Sequence, residues 1–414
     1  MRLLTDITPL RSSPAFRRLW IGTTLSSTGT ALTNFAVTLQ VYDLTRSTAA
    51  VGAVGVAVMV PLLTVGLFGG SVADAVDRRK LVLVTTVCQA AVSALLAAQA
   101  FGGHGWLWLL YALVALESGV GAIGAPARRT FIPALLPADQ LPAGMAVNRL
   151  SFQIMIIAGP ALAGVITATP HLGLRACYLL DAVSYGAALY GVAGLPVQRR
   201  AGHTERAGVR SVAAGLTFIR RSQVLYGTFL ADLNATFFGL PLALFPAINA
   251  LRFGGSPRTL GLFTAAIGVG GLVSAALSGP VKHVSRQGVA MLAAVAVWGA
   301  AFAVFAVSPS LWLTLLALGV AGAADTFTVV FRGIIVQTVT PEAFRGRVMA
   351  ADYIVGAGGG QLGSLEAGVV GSLTTPVISA LSGGLLTIAG AVVIGAALPG
   401  FRRYRRWLST GGSR

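Results

Sequence analysis

The sequence has little charge, and most of the charge that it has is positive. Only 10% of the 414 residues are charged, whereas 55% are hydrophobic. A soluble protein of this length needs more charged residues to cover its surface, so the composition predicts a chain that resides largely in lipid. Acidic residues are especially scarce: 13 against 30 basic ones, which gives a formal net charge of +17.

The basic residues stand in short clusters between long apolar runs, which is typical of the cytoplasmic loops of membrane proteins and argues against a nucleic-acid partner. With both termini inside, most arginines fall in cytoplasmic segments, to which we also assign Arg128, Arg129 and Arg332. The outer loops keep only Arg46, Arg175, Arg252 and Arg258. This bias predicts a multi-pass protein of the cytoplasmic (inner) membrane.

Cysteine, histidine and lysine are too scarce to build several common kinds of site. Cys88 and Cys177 both lie in apolar runs, and the four histidines are scattered, so we expect no metal site. The only lysines are Lys80 and Lys282, and neither belongs to a phosphate-binding loop. We therefore expect no cofactor, no ATP-driven transport and no enzymatic activity.

Twelve apolar runs are long enough to cross a bilayer, whose hydrocarbon core of about 30 Å takes roughly 20 helical residues. They lie at about 19–42, 48–70, 81–101, 106–125, 143–167, 172–195, 224–248, 259–281, 289–307, 310–331, 348–372 and 376–399. A polar, arginine-rich stretch separates the sixth run from the seventh, as in transporters built from two related bundles. The sequence predicts an all-α polytopic membrane protein with twelve transmembrane helices in two six-helix bundles. The bundles are expected at 1–195 and at 224–414, the second with a basic cytoplasmic tail, and the cytoplasmic central loop at 196–223.

The loop after the second run carries a recognisable motif. It reads Gly70-Ser71-Val72-Ala73-Asp74-Ala75-Val76-Asp77-Arg78-Arg79-Lys80. This resembles the signature of the major facilitator superfamily between helices 2 and 3, although Ala75 and Asp77 depart from that pattern. A carboxylate at a helix end can hold a neighbouring helix by charge and dipole. The resemblance thus implies a conformational latch formed by Gly70, Asp74, Arg78 and Arg79; the alternative is a plain positive-inside loop.

Three further stretches, at 232–247, 337–348 and 361–368, resemble the superfamily branch that includes bacterial enterobactin exporters and macrolide-efflux proteins. The resemblance runs from about Phe16 to Val393 and implies a major facilitator fold and export of a small molecule. A shorter stretch, with Gly159, Pro160 and Gly164, is similar to the Gly-Pro motif on helix 5 of drug–proton antiporters. A generic packing kink is the other interpretation of these three residues, since proline bends a helix and glycine admits a close neighbour.

Six carboxylates fall inside the apolar runs, where each charged one costs on the order of 3 kcal/mol. They are Glu117, Asp181, Asp232, Asp325, Asp352 and Glu366. Asp232 is the first candidate for proton coupling because its run is interrupted by prolines, and the resemblance adds Asp325 and Glu366. Glu117 is the candidate of the amino half, Arg149 could neutralise one of the acids, and Asp181 and Asp352 rank lower. The alternative is that these acids form fixed salt bridges.

An aromatic, amphipathic ligand could contact polar and aromatic side chains within the runs. The candidates for a substrate cavity are Asn34, Gln153, Tyr185, Asn234, Phe237 and Phe238, each of which ordinary helix packing would also explain. We interpret the chain as a proton-coupled exporter working by alternating access, with a siderophore as the substrate that the resemblance favours. Multidrug or macrolide efflux is the alternative, and a non-transporting receptor or assembly partner is a third. The expected partners are the small molecule, protons and the lipid bilayer, with a monomer favoured.

Overall fold

A computed structural model describes residues 6–103, 105–170, 173–195, 209–277, 279 and 284–405; side chains at 67–75, 209–212, 343, 350 and 357 lie outside the description. The regular secondary structure of this part of the chain is entirely helical. A helix satisfies its backbone hydrogen bonds within one segment, as the hydrocarbon core of a membrane requires. The prediction of an all-α chain is confirmed.

The helices differ in length, and most of them are long enough for a membrane crossing. In chain order they are α1 (Thr8–Ser12), α2 (Pro14–Thr45), α3 (Thr48–Ala75), α4 (Arg78–Phe101), α5 (Leu107–Arg129), α6 (Phe131–Leu135), α7 (Leu141–Thr167), α8 (Gly173–Ala193), α9 (Val209–Arg221), α10 (Gln223–Phe238), α11 (Phe245–Arg252), α12 (Pro257–Ala276), α13 (Gln287–Val307), α14 (Leu311–Val339), α15 (Arg345–Leu373), α16 (Pro376–Ala397) and α17 (Pro399–Arg402). Short 3-10 turns at Leu242–Leu244 and Glu342–Phe344 precede α11 and α15.

Each of the twelve apolar runs coincides with one of these helices or, for the seventh run, with the pair α10 and α11. Ten stretches of the described residues are long and apolar enough to cross a membrane by length and composition. The two remaining runs correspond to α2 and α15, which have 32 and 29 residues but more polar side chains. The chain is a polytopic membrane protein, as predicted.

Two helices extend beyond the apolar runs that predicted them. The tenth run ends at 331, but α14 continues to Val339 and so carries Arg332 in its interior. The fourth run ends at 125, but α5 passes through Pro126 and includes Arg128 and Arg129 in its last turn. These three arginines are therefore helical, although they lie outside the apolar runs, because a hydropathy scan stops at a charge whereas backbone hydrogen bonding does not.

The seventh run is interrupted where its prolines predict. Helix α10 ends at Phe238, and the chain resumes a helical course in α11 only after a 3-10 turn. Pro241 and Pro246 flank that turn, and each lacks the backbone N–H that a continuous helix would need. The backbone of the break is mostly buried, at Gly239, Pro241, Ala243 and Leu244, and irregular backbone is tolerated at membrane depth where protein surrounds it.

The chain packs into two compact units. Unit 1 contains Met1–Arg46, Val54–Arg206 and Phe253–Ala265, and unit 2 contains Ser47–Ala53, Ala207–Arg252 and Ala266–Arg414. Two short segments thus lie with the opposite half of the sequence: the first residues of α3 belong to unit 2, and the first half of α12 belongs to unit 1. Unit 2 also contains α9, so part of the stretch expected as a central loop is helical.

Small residues allow the close approach of helices within unit 1. A Cβ added at Gly261 of α12 would lie 2.5 Å from the carbonyl oxygen of Pro160 in α7, and one added at Gly164 would lie 2.6 Å from that of Pro257. Neither position therefore has room for a side chain. Association of membrane helices depends on such packing, since the lipid offers no hydrophobic gain for bringing them together.

Unit 2 has an aromatic core between α11 and α13. The rings of Phe245 and Phe305 have centroids 5.1 Å apart, and those of Trp298 and Phe302 are 5.0 Å apart in an edge-to-face arrangement. Such pairs stabilise a fold beyond the burial of their area. This core lies beside the end of α10, where the next residue, Gly239, faces the Trp298 indole, and so supports the helix that carries Asp232.

We predict that Gly261→Leu destabilises unit 1, because its side chain would overlap the backbone of α7. Overpacking of this kind costs about 1–3 kcal/mol, so the melting temperature of the detergent-solubilised protein should fall by several degrees. Gly186→Leu is the matched control, since a Cβ at Gly186 meets nothing within 4 Å. Equal melting temperatures for the two variants would contradict this packing.

Candidate functional site

Three helices of unit 2 meet at a buried arginine. The side chain of Arg332 on α14 is 16% exposed, and its Nη1 lies 2.5 Å from Oδ2 of Asp232 on α10. Its Nε lies 3.5 Å from Oδ1 of Asp352 on α15. The contact with Asp232 is a charge-assisted hydrogen bond, whereas Asp352 is held only at ion-pair distance. Arg332 thus links α10, α14 and α15.

A third carboxylate belongs to the same cluster. Asp325 precedes Arg332 by two helical turns on α14, which places both on one face. Its side chain is exposed, and it interacts electrostatically with Asp232 and Arg332. We call Asp232, Asp325, Arg332 and Asp352 the Arg332 cluster. It opposes one guanidinium to three carboxylates, so it has acidic groups in excess of its positive charge.

The structure separates Glu366 from this cluster. Glu366 lies on α15 fourteen residues beyond Asp352, which is about 21 Å along a helix axis. Its side chain is half-buried and has no hydrogen bond or ion pair within the described part of the chain. Of the three candidates that the sequence proposed in the carboxyl half, the structure therefore brings together Asp232 and Asp325 and leaves Glu366 apart.

Unit 1 holds a second pair of buried acids. Asp181 on α8 is fully buried, and its Oδ2 accepts hydrogen bonds from Ser93 Oγ at 2.7 Å and Thr33 Oγ1 at 2.8 Å. Glu117 on α5 is 8% exposed, and its Oε1 accepts a hydrogen bond of 3.2 Å from the Tyr185 hydroxyl. Hydroxyl groups thus donate to two acids that have no basic partner among the described residues, and Oδ1 of Asp181 is left without a hydrogen bond there.

The arginine proposed from sequence as a counter-charge lies elsewhere. Arg149 is exposed on α7, with its guanidinium 5.9 Å from the centroid of the Phe152 ring. No carboxylate lies within ion-pair distance of it among the side chains that the structure describes. Arg332 provides the counter-charge in unit 2 instead. The sequence signal for this was present, because Arg332 follows Asp325 at a two-turn spacing.

The latch motif is visible only in its second half. Arg78 and Arg79 begin α4, where the Asp77 carboxylate caps the helix by accepting the backbone N–H of Arg79 at 2.8 Å. The Arg79 guanidinium donates to the carbonyl of Ala193, the last residue of α8. The residue that departs from the family pattern, Asp77, therefore serves as an N-cap. Gly70 and Asp74 belong to α3, but their contacts lie outside the described part of the structure.

The glycine–proline stretch of α7 packs against two neighbouring helices. The helix runs through Pro160 without a break. A Cβ at Gly159 would lie 2.5 Å from the Ala31 Cβ of α2, and Gly164 faces α12. These contacts show a packing role for Gly159, Pro160 and Gly164.

Two of the proposed substrate contacts, Asn34 and Tyr185, line a cavity within unit 1 that has both polar and apolar walls. Its two connected parts have volumes of about 200 Å³ and 270 Å³ and share Ser26, Ser27, Arg128 and Tyr185. Asn34 opens onto the larger part. Arg128 was not proposed as a contact from the sequence, because its helix appeared to end before it.

The remaining cavity candidates have other surroundings. Asn234 is buried in unit 2 and donates a 2.8 Å hydrogen bond to the carbonyl of Thr387 on α16. Phe237 and Phe238 are half-buried and pack edge to face with their ring centroids 5.0 Å apart. Gln153 on α7 is half-buried and does not line the unit 1 cavity.

Comparisons with known proteins agree with the architecture. The family model described as "Transmembrane secretion effector" matches residues 4–405. The enterobactin exporter EntS of Citrobacter koseri is 28% identical over 405 residues, which cover 97% of this chain and 96% of that protein.

Solved structures are similar over nearly the whole chain. The nucleoside transporter NupG has a TM-score of 0.71 at 16% identity, with 94% of this chain and 99% of that one covered. A bacterial homologue of the iron transporter ferroportin has a TM-score of 0.70 at 15% identity, with 94% and 99% covered. These likenesses show the fold. With its helices, its buried charges and this match over nearly the whole chain, the protein is a small-molecule transporter of the membrane that belongs to the transmembrane secretion effector family of the major facilitator superfamily.

Proposed function

We propose that the protein is a proton-coupled exporter that moves a siderophore out of the cytoplasm by alternating access. The observation that carries the coupling is the Arg332 cluster, in which one buried guanidinium holds Asp232 and Asp352 on different helices. Charged groups inside a membrane segment are costly, so they are found where transport needs them.

Protonation gives this cluster two states. With Asp232 ionised, its ion pair with Arg332 holds α10 to α14. A proton on Asp232 removes that attraction. Of the two carboxylates that Arg332 contacts in the described structure, Asp352 then remains as its ion-pair partner. The loss of one buried ion pair favours separation of α10 from α14, and such a change of population is how a bound proton drives a two-state transporter.

Asp325 supplies a route for the proton. Its side chain is exposed and lies on the same face of α14 as Arg332. An acid that the surrounding protein does not enclose can exchange a proton more readily than Asp232, whose side chain is 6% exposed. We assign Asp325 the entry of the proton and Asp232 the switch.

The substrate class is supported by the relatives. The Citrobacter koseri protein is named an enterobactin exporter, and its similarity extends over both units without a missing segment longer than a few per cent of the chain. Efflux of macrolides or other drugs is the competing proposal, and the cellular experiment below separates the two.

We expect Asp232→Asn to abolish transport driven by a pH gradient in proteoliposomes, with at least a tenfold loss of rate, because the amide cannot release a proton. Exchange of substrate across the membrane without a gradient should persist. Asp43→Asn is the control, since Asp43 forms an exposed pair with Arg46 at the end of α2. Gradient-driven transport by Asp232→Asn at the wild-type rate would refute the assignment.

The pairing itself is testable by a double-mutant cycle. Arg332→Gln alone leaves the buried Asp232 carboxylate without its counter-charge, a change that costs about 3–5 kcal/mol for a buried pair. Adding Asp232→Asn should restore part of the lost melting temperature, because one of the uncompensated charges is then gone. Strictly additive losses in thermal unfolding of the purified protein would mean that the two side chains are not coupled.

Deletion of the gene under iron limitation should lower the siderophore in the medium and raise it inside the cell. Restoration by the wild-type gene, but not by the gene for Asp232→Asn, would link that defect to the Arg332 cluster. Both pools would be measured by chromatography of medium and cell extract. If both are unchanged and susceptibility to macrolides rises instead, drug efflux replaces siderophore export.

A further inference from the structure

The cavity of unit 1 combines a positive charge with aromatic walls. Arg128 faces both of its parts, and Phe16, Trp20, Phe131 and Tyr185 line it. The hydroxyls of Ser26 and Ser27 add hydrogen-bonding groups to the same space. An apolar cavity of about 150 Å³ already holds a benzene molecule, so each part of this cavity, at about 200 Å³ and 270 Å³, has room for an aromatic ring.

Arg128 differs from Arg332 in having no acidic partner. Its Nη2 donates to Oε1 of Gln89 and, at 3.4 Å, to Oγ1 of Thr86, which are both uncharged acceptors. Among the described side chains no carboxylate lies within ion-pair distance of Arg128, and its guanidinium is half-buried. A partly buried charge without a counter-charge is unfavourable. The site is therefore electrostatically incomplete.

The nearby acids of unit 1 do not supply the missing charge. Tyr185 stands between Arg128 and Glu117: it lines the cavity, and its hydroxyl donates to Glu117 Oε1. Asp181 is turned toward Ser93 and Thr33. No acid among the described residues therefore balances Arg128, which leaves its guanidinium available to an anionic group of a molecule in the cavity.

We propose that this cavity is a substrate subsite in which Arg128 binds an anionic group, a carboxylate or a phenolate, carried on an aromatic ring. The proposal rests on the proposed function and narrows its substrate class to aromatic anions. Arg128 is suited to this because its planar guanidinium can engage two oxygens at once. Trp20 offers a rigid face for the ring, since its Nε1 is held by Ser151 Oγ at 2.8 Å.

The same arrangement disfavours a cationic ligand. A protonated amine in the cavity would add a further positive charge beside Arg128 and Arg129, and the other polar side chains of the described lining offer it hydroxyls and amides alone. Many amphipathic drugs are cations, so the charge of Arg128 selects against them at this subsite. The preference for a charge sign is the property to measure.

The experiment uses two probes of nearly equal size that differ in charge: 2-hydroxybenzoate and 2-hydroxybenzamide. Binding of each to the purified full-length protein in lipid nanodiscs is measured by equilibrium dialysis of the radiolabelled compound. We expect the wild type to prefer the benzoate, and Arg128→Gln to bind it about tenfold more weakly, as loss of one charge-assisted contact would produce. Affinity for the benzamide should stay within about twofold.

Two further variants make the result interpretable. Arg175→Gln removes the same charge from an exposed position at the start of α8, and it should leave both affinities unchanged. Arg128→Lys keeps the charge and should retain most of the preference for the benzoate. The melting temperature shows whether Arg128→Gln folds. If it does not, two measurements test the subsite instead: the benzoate-to-benzamide affinity ratio of the wild type, and the same ratio for Arg128→Lys.

The subsite is refuted if the wild type binds both probes equally or neither, or if Arg128→Gln weakens both to the same extent. Its failure is separable from failure of the proposed function. If the Arg128→Gln variant exports siderophore at the wild-type rate, the proposed subsite is contradicted and the proposed export function is retained. If benzoate binding depends on Arg128 but deletion of the gene leaves both siderophore pools unchanged, the subsite is supported and siderophore export is contradicted.

Discussion

A charge inside the hydrocarbon region of a membrane needs a counter-charge, a proton or access to water, and this constraint organises the interior of the protein. In unit 2 it is met by Arg332, which contacts Asp232 on α10 and Asp352 on α15. The contacts depend on elements remote from the charges: α14 must run on past the apolar stretch, and α10 must end at Phe238, next to the aromatic core of α13. Helix packing and coupling chemistry are thus two aspects of one arrangement.

The two units solve the same constraint in different ways. Each has an arginine near the end of the fourth long helix of its half of the sequence, Arg128 on α5 and Arg332 on α14. Arg332 is compensated by acids of its own unit, whereas the described partners of Arg128 are the neutral acceptors Gln89 and Thr86. Because an internal counter-charge competes with any ligand, the compensated arginine suits a proton switch and the uncompensated one suits a substrate. This difference fits the proposed roles of the two units, proton coupling in unit 2 and substrate binding in unit 1.

Much of the fold could be predicted from the sequence, and so could part of the candidate site. The twelve apolar runs predict the long helices, since length and hydropathy follow directly from the thickness of the membrane. Asp232 and Asp325 were proposed for their positions and do belong to one cluster, while Asn34 and Tyr185 do line a cavity. Arg149 was proposed as a counter-charge for an intramembrane acid and instead packs on Phe152. Asp352 ranked low in the sequence and yet contacts the central arginine.

The sequence by itself determined that the chain is helical, multi-pass and built with the motifs of its superfamily, because these properties depend on local composition and periodicity. Only the tertiary structure decided which charges meet. Arg128 and Arg332 looked like loop residues because hydropathy falls at every charge, although the helix continues through both. Pairing requires two side chains within 4 Å, and that distance is set by which helix faces pack together. Asp232 and Arg332 are 100 positions apart in the sequence, and neither residue by itself indicates that the two side chains meet.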